Sequence, residues 1–571
     1  MNDSNKKVLL AFGLSFLILV LWRFVFPPPP PVEPPPAKNP APVQTPGPTS
    51  KPAAPTSPGA AKPAAKPAAR VPAPVALAVQ QGSQAEEIVV ENSLARITLS
   101  TEGAVVKSWV LKKFKDEMGQ PLDVVNRKAC ETLGFPMSLG TPDAETTKKL
   151  NSAFYVVTPK GSALAAPGKL EFIYSDGKVQ ARKVLSFSDG YDVHVEASLF
   201  DGQRYLPVDI SWPGGFGDHS LPPQVKESMH NLVHGSAEKI ESEPQRKIKD
   251  DQVFSGPLAI SGMTDRYFAL VYLPDAPEQV ALKVGRRTWN PSDWKEKEPP
   301  RETFAALTSA LPQVLAFRVF VGPKDLDALK AMKPPLDKLV DYGWFSFVAK
   351  PLFLAMRYIH DRWIHNFGWA IVLLTVLINM ALFPIKLKQI RSAQEMQRVA
   401  PIVKGIQDKY KNYKFNDPRK QKMNQEVMKV YQEHGVNPLS GCLPMVVQLP
   451  FLYGFYRVLD TSIELRHAPW ILWIHDLSAK DHLYILPVLM VITMFIVQKM
   501  TPTPTADPAQ QRMFMLMPLF MGFMFMSFAS GLVLYWLTGN VIGIGQQMLI
   551  NRMVPKAAPP SPPRKGAAKE N

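Results

Sequence analysis

Residues 513–550 read MFMLMPLFMGFMFMSFASGLVLYWLTGNVIGIGQQMLI, a run without one charged side chain. Only Ala529-Ser530-Gly531 interrupts it, so it divides into two apolar segments, 513–529 and 531–550. Each comes near the ~20 residues that a helix rising 1.5 Å per residue needs to cross a ~30 Å hydrocarbon layer. Working back along the chain, 483–498, 441–459 and 369–385 have the same character. A globular core can use one such segment, but not five separated by short polar loops. The expected fold is a polytopic α-helical membrane protein with a five-helix core over 367–555.

Loop charge sets the expected orientation. Residues 386–440 carry 12 Lys/Arg against five Asp/Glu, which assigns them to the cytoplasm. Met396, Val399, Val403, Ile406 and Tyr410 recur at helical spacing, as do Met423, Val427 and Val430, with turn residues Asn412 to Pro418 between. This predicts a cytoplasmic helical hairpin, kinked near Pro401. Lys386, Lys388 and Arg391 stand at its mouth, and a basic tail over 556–571 ends the chain on the same side. Residues 337–366 are rich in aromatics but too polar to span. They predict an amphipathic helix lying in the membrane interface.

The amino-terminal half is organised differently. Lys6 and Lys7 precede an apolar run ending at Phe26, read as an uncleaved transmembrane anchor over 1–26 and the sixth span. A cleaved signal peptide is the rival reading, for which Pro27 to Pro31 make a poor cleavage region. Residues 27–83 form a Pro/Ala-rich linker; 19 of the chain's 57 prolines fall between Pro27 and Pro74, and such a composition cannot bury a core. From 84 to 325 short runs alternate apolar and polar residues, as in Tyr191-Asp192-Val193-His194-Val195-Glu196-Ala197. Turns such as Ser188-Asp189-Gly190 and Asp201-Gly202 separate them. That is the pattern of a large antiparallel β-sandwich, placed on the periplasmic side.

The composition excludes several classes. There is no HExxH, CxxC, GxSxG or P-loop, so no enzyme activity and no cofactor are expected. Cys130 and Cys442 are far apart in the expected topology and predict neither a disulfide nor a metal site. His219, His230 and His234, with Trp289-Asn290, invite a sugar- or metal-binding reading, but they lack ligand spacing and look like surface or turn residues. The net charge of +16 suits acidic partners such as lipid headgroups or ribosomal RNA; no DNA partner is expected.

Several motifs carry a resemblance. Val340-Asp341-Tyr342-Gly343-Trp344, Asn437-Pro438-Leu439-Ser440-Gly441-Cys442-Leu443-Pro444, Glu464-Leu465-Arg466-His467-Ala468-Pro469 and Trp473-Ile474-His475-Asp476-Leu477-Ser478 are four of them. Gln498-Lys499-Met500 and Ser530-Gly531-Leu532-Val533-Leu534-Tyr535 complete the set. Together they resemble the YidC/Oxa/Alb family of membrane protein insertases, in its long Gram-negative inner-membrane form. The resemblance implies a non-enzymatic insertase and chaperone. It would move hydrophobic segments of nascent membrane proteins into the bilayer, alone or beside the Sec translocon. It also implies contact with membrane lipids and, through the basic tail and the hairpin, with the ribosome.

The residues support that role physically. A client helix must carry a polar flank across hydrocarbon, and stripping water from unpaired polar groups costs several kcal/mol. A polar groove cut partway into the membrane shortens the dry path. Thr375 and Asn379, four apart on one helix face, and Gln448 in the next span are candidates for its lining. Thr538, Asn540, Gln546 and Gln547 lie in the last span. The competing reading is plain interhelical hydrogen bonding. The family's groove arginine falls, counting five residues back from Pro384, on Asn379. The expectation here is therefore a groove that works by polarity, with Lys386 and Lys388 as possible substitute cations. Resemblance further places Leu449, Leu452, Met524, Tyr535 and Trp536 in contact with substrate, beside a methionine-rich fifth span able to repack around varied clients.

Two other classes compete. A secondary transporter or channel would show an internal repeat, an intramembrane carboxylate or paired broken helices, none of which is evident in the sequence. A tethered periplasmic binding protein would not need five further spans. Deleting most of 84–320 separates that last reading from an insertase, which should keep working.

Overall fold

The computed structural model describes residues 77–220, 230–290, 299–309, 311, 313–413, 417–435, 443–500 and 508–553. The expected anchor, residues 27–76 of the linker, the basic tail and residues 437–442 of the Asn437–Pro444 motif lie outside the described residues.

The alternating half folds as stacked sheets. A ten-stranded sheet runs Ile240–Pro244, Asn231–Gly235, Ile260–Thr264, Phe268–Pro274, Leu315–Pro323, Asp192–Phe200, Gln180–Phe187, Gly168–Ser175 and Val156–Thr158, with Tyr205–Leu206 beside Asp192–Phe200. A five-stranded sheet runs Pro121–Asp123, Val105–Lys115, Ala95–Ser100, Glu87–Glu91 and Ala163–Ala165. The third, also of five strands, runs Gln252–Ser255, Val280–Thr288, Arg301–Ser309, Asp209–Trp212 and Ser138–Gly140. Pairing is antiparallel except between Glu87–Glu91 and Ala163–Ala165, which run parallel. The expected turns hold the hairpins: Asp201 Oδ1 accepts from Gln203 N and Arg204 N, and Ser188 Oγ accepts from Gly190 N.

One strand joins the two halves of the molecule. Every residue of Phe268–Pro274 is buried, because both faces of the sheet are covered there. With side chains alternating across the strand, Phe268, Leu270 and Tyr272 enter the core between the sheets, with Trp109, Trp212 and Phe317. Ala269, Val271 and Leu273 point the other way, into a second core shared with Leu326, Leu329, Leu336 and the helices beyond.

A lysine occupies an inward position of Gln180–Phe187. Lys183 is fully buried, and its Nζ donates to Gly103 O (2.8 Å), Ala104 O (2.8 Å) and Met137 O (2.7 Å). Those three residues all have positive φ, at 70°, 49° and 67°. For Ala104 and Met137 the left-handed backbone is strained, and the ammonium's three donors hold it by satisfying carbonyls that no strand reaches. Lys183→Met is expected to destabilise the β domain by about 3 kcal/mol or more, since orphaned buried acceptors cost ~1–3 kcal/mol each. The thermal midpoint read by near-UV circular dichroism checks this. A loss under ~1 kcal/mol would mean that those carbonyls find other donors.

The helical half follows. The amphipathic helix Ser346–Arg362 lays Ala349, Leu352, Phe353, Met356 and Ile359 on the second core. The aromatics expected on one face are in fact divided: Trp344, Phe347, Tyr358 and Trp363 are exposed. Five core helices come next, interrupted by two arm helices. The first core helix, Phe367–Ala381, is capped by Asn366, whose side chain accepts from Trp369 N at 3.1 Å. It bends by 55° into the first arm helix, Phe383–Lys409, where Pro384 occupies the first turn. The second arm helix, Pro418–Glu433, packs Val430 and Tyr431 on Met396 and Val399. The remaining core helices are Leu443–Thr461, Ile485–Met500, Pro508–Phe525 and Ser530–Met553.

Among the described residues no single helix is long and apolar enough to cross a membrane, while the bent pair Phe367–Ala381 and Phe383–Lys409 is so when taken together. The first apolar helix stops at Ala381, short of the expected 385, and Ile485–Met500 and Met515–Phe525 are apolar but shorter than a span requires.

Charged contacts fasten the β domain to the end of Leu443–Thr461 and the loop after it. Arg266 Nη2 meets Asp460 Oδ1 at 3.0 Å, and Arg466 Nη2 meets Asp218 Oδ2 at 2.7 Å. Ile463, from the same loop, is buried in the core between the sheets.

The three histidines expected at the surface are partly or wholly covered. His230 and His234 are buried; His230 Nδ1 lies 3.1 Å from Gln245 Oε1, and His219 Nε2 lies 3.1 Å from Val124 O. Among the described residues, no three His, Cys, Asp or Glu side chains group as a metal centre would require.

Candidate functional site

The first and last core helices pack side by side, and their contact is polar at one end. Thr375 and Asn379 sit on the inner face of Phe367–Ala381 and are buried. Thr375 Oγ1 donates to Ile371 O at 2.6 Å, so its hydroxyl is spent within its own helix. Asn379 is the hub. Its Nδ2 donates to Thr375 O (2.8 Å), its Oδ1 accepts from Lys386 Nζ (2.6 Å), and its carbonyl accepts from Gln546 Nε2 (3.0 Å). Lys386 Nζ also donates to Gln546 Oε1 at 3.2 Å.

The bend makes this possible. Position 386 belongs to the arm helix, yet the 55° turn after Ala381 returns its side chain to Asn379. An ammonium thus stands among apolar helices, fixed by two neutral amide oxygens instead of a carboxylate. An ammonium has three N–H donors, so two accepted bonds leave one for a further acceptor. Nearby on the same helix, Gln389 is buried, and its Nε2 has no protein partner among the described residues. Lys388 and Arg391 are exposed and stand outside the cluster.

Gln448 is engaged elsewhere. Its Nε2 donates to Tyr535 OH, and the Tyr535 ring stacks on Phe455 with centroids 4.3 Å apart. Tyr535 is fully buried there, so in this conformation it offers no surface to a client. Leu452, Met524 and Trp536 are half-buried on the second core, and Leu449 is also half-buried. Trp536 lies 5.3 Å from the Phe525 ring. The methionine-rich helix turns Pro518, Gly522 and Phe525 inward and leaves Met515, Leu516, Leu519, Phe520 and Phe523 exposed. Its close seat on Ile485–Met500 depends on Gly522, where an added Cβ would lie 2.1 Å from Val491 Cγ2.

The sequence names Thr375, Asn379 and Gln448 for the groove, with Gln546 in the last span and Lys386 as a substitute cation; the structure joins Asn379 to Lys386 and Gln546 and leaves Gln448 apart. What the apolar pattern does not show is the bend after Ala381 that brings Lys386 onto Asn379. Asn540, bonded to Thr493 at 3.2 Å, is an ordinary bridge between helices.

Comparison with known proteins completes the picture. Residues 87–355 match the family model described as the YidC periplasmic domain, and 359–557 match that described as the 60Kd inner membrane protein. A membrane protein insertase YidC of Syntrophus aciditrophicus is 32% identical, covering 96% of this chain and 99% of that protein. The protein of the same name from Citrifermentans bemidjiense is 35% identical, again over 96% and 99%. A solved structure of an active YidC insertase, 20% identical, covers 82% of this chain and 94% of its own, with a TM-score of 0.34.

Proposed function

The chain belongs to the YidC family of membrane protein insertases, and we propose that its insertase site is the polar cluster built on Asn379, Lys386 and Gln546. As a member of that family it is an inner-membrane protein with a periplasmic β domain, acting on nascent membrane proteins and not as a catalytic enzyme. The single observation carrying the site assignment is the Lys386 ammonium, held by two amide oxygens between apolar helices.

The mechanism is a matter of solvation. A client's polar flank entering between the helices loses water, and unpaired polar groups there cost several kcal/mol. Lys386, Gln389 and Gln546 return part of that solvation midway. The free N–H of Lys386 favours flanks that end in carboxylates, because hydrogen bonds to charged groups are roughly twice as strong as neutral ones. The apolar client segment then needs a greasy surface beside the cluster, which Leu449, Leu452, Met524 and Trp536 supply. Unbranched methionine side chains suit clients of many shapes. In this reading the chain spans the membrane six times with both termini and the arm helices in the cytoplasm. The arm and basic tail approach the ribosome, and the Sec translocon is an occasional partner; the positive-inside bias supports that orientation.

Site-specific photocrosslinking from positions 449, 452 and 524 to a stalled nascent chain bearing one transmembrane segment tests the path. Crosslinks are expected at all three, disappearing when the chain is released. Silence at all three, with clients still inserting, would move the contact surface elsewhere.

A further inference from the structure

The polar cluster has donors to spare and, among the described residues, no negative charge to meet them. Lys386 Nζ donates to Asn379 Oδ1 (2.6 Å) and Gln546 Oε1 (3.2 Å), and its third N–H has no partner among the described residues. Gln389 follows three residues on, along the same face of the helix Phe383–Lys409. It is 7% exposed, and its Nε2 is unpartnered among the described residues. Both groups lack an acceptor. Lys388 and Arg391 stand exposed around them, so residues 383–391 carry three cations and no carboxylate. The first core helix, Phe367–Ala381, and the last, Ser530–Met553, hold no Asp or Glu either. The first acid along the arm is Glu395, already engaged by Arg398 at 3.0 Å.

A cation between apolar helices keeps part of its desolvation penalty until an anion comes within reach. The surroundings narrow the kind of anion. Met380 and Ile385, next to Asn379 and Lys386 in the chain, are 64% and 41% exposed, and Leu377 is 46% exposed. An inorganic ion would gain nothing from these apolar side chains, whereas acyl chains would cover them. A lipid phosphodiester carries its charge where the hydrocarbon ends, and basic residues at that depth attract anionic headgroups. We propose that Lys386 and Gln389 bind the phosphate of an anionic membrane phospholipid, which occupies the cluster while no client is present and leaves when one enters. The inference rests on the membrane placement and the client path given above, and adds a competitor to them. An acidic client flank takes the place of the phosphate at the same N–H, so the cluster exchanges one anion for another.

Native mass spectrometry of the full chain, released from detergent micelles without client, measures the first lipid bound. Short-chain phosphatidylglycerol is expected to bind more tightly than phosphatidylcholine of the same chain length, by about tenfold or more. Lys386→Met should erase that preference and leave phosphatidylcholine binding unchanged. Lys386→Arg should keep it, and Gln389→Leu should reduce it by about 2- to 10-fold. Lys388→Gln and Arg391→Gln, which remove exposed cations, should each weaken it by no more than about fivefold.

A preference for phosphatidylglycerol that persists in Lys386→Met overturns the proposal, because the outer cations alone would then hold the lipid. Inorganic phosphate or glycerol phosphate competing at the same concentration as the lipid overturns the lipid source. A transmembrane peptide with an acidic flank should displace the bound phosphatidylglycerol, and one with an uncharged flank should not. Lipid that binds through Lys386 but stays when the acidic peptide is added overturns the displacement and leaves the lipid site standing. Crosslinks along the client path with no lipid preference overturn the lipid site alone.

Discussion

Lys386→Met is expected to slow insertion of a client with a short acidic flank by about 10- to 100-fold while leaving the protein as stable as before, or more so. The two halves of that result come from different physics. For function, a lost charge-assisted hydrogen bond of ~1.5–3 kcal/mol translates, at about 1.4 kcal/mol per decade, into that range. For stability, a half-buried ammonium held only by neutral amides still carries part of its desolvation penalty, and a methionine of similar length removes it. Asn379 Oδ1 and Gln546 Oε1 lose this donor, which offsets part of that gain, while the bond from Gln546 Nε2 to the Asn379 carbonyl persists. Protease protection of the translocated flank in proteoliposomes, alongside thermal unfolding of the same preparation, separates the two effects. Lys386→Arg should keep most of the rate, and a client with an uncharged flank should lose less than an acidic one. Equal insertion of the acidic client by Lys386→Met would remove the cation from the mechanism. A parallel collapse of stability would assign it a structural role instead.

How far these residues could be read in advance depended on whether their neighbours were local. The apolar runs announced their helices because burial against other helices needs only a continuous greasy face, and each of the five expected segments has a core helix over it. The hairpin turns at Asp201 and Ser188 were legible because Asn, Asp and Ser bond their own backbone two residues on. Lys183 was not. Strand alternation puts it inward, but its reason for being there is three carbonyls, two some 80 residues away and the third 46. Lys386 was legible as a candidate cation, but its partners were not: only the bend after Ala381 turns it back toward Asn379.

Arg466→Met is expected to weaken the joint between the β domain and the core by about 3–5 kcal/mol, the range for breaking a buried ion pair from one side. Arg466 and Asp218 side chains are 4% and 5% exposed, which is why the ordinary low value of a surface salt bridge does not apply. Asp218 Oδ1 keeps Ser220 N and Ser220 Oγ, but Oδ2 loses the Arg466 partner that sits at 2.7 Å. Arg466→Lys restores a charge but on a shorter, more strongly hydrated group that must replace the single Nη2 meeting both Asp218 Oδ2 and, at 3.3 Å, Glu117 Oε1, and should recover only part of the loss. Arg466→Met combined with Asp218→Leu should be less damaging than Arg466→Met alone, because the orphaned charge, not the missing attraction, carries most of the penalty. Hydrogen exchange across the 462–467 loop measures all three variants. If the double variant proves as damaging as the sum of its parts, the two side chains do not couple, and Arg466 and Asp218 each act through other contacts. Insertion itself should survive every one of them, since the Asn379, Lys386 and Gln546 cluster lies within the helices and, among the described residues, draws no bond from the β domain.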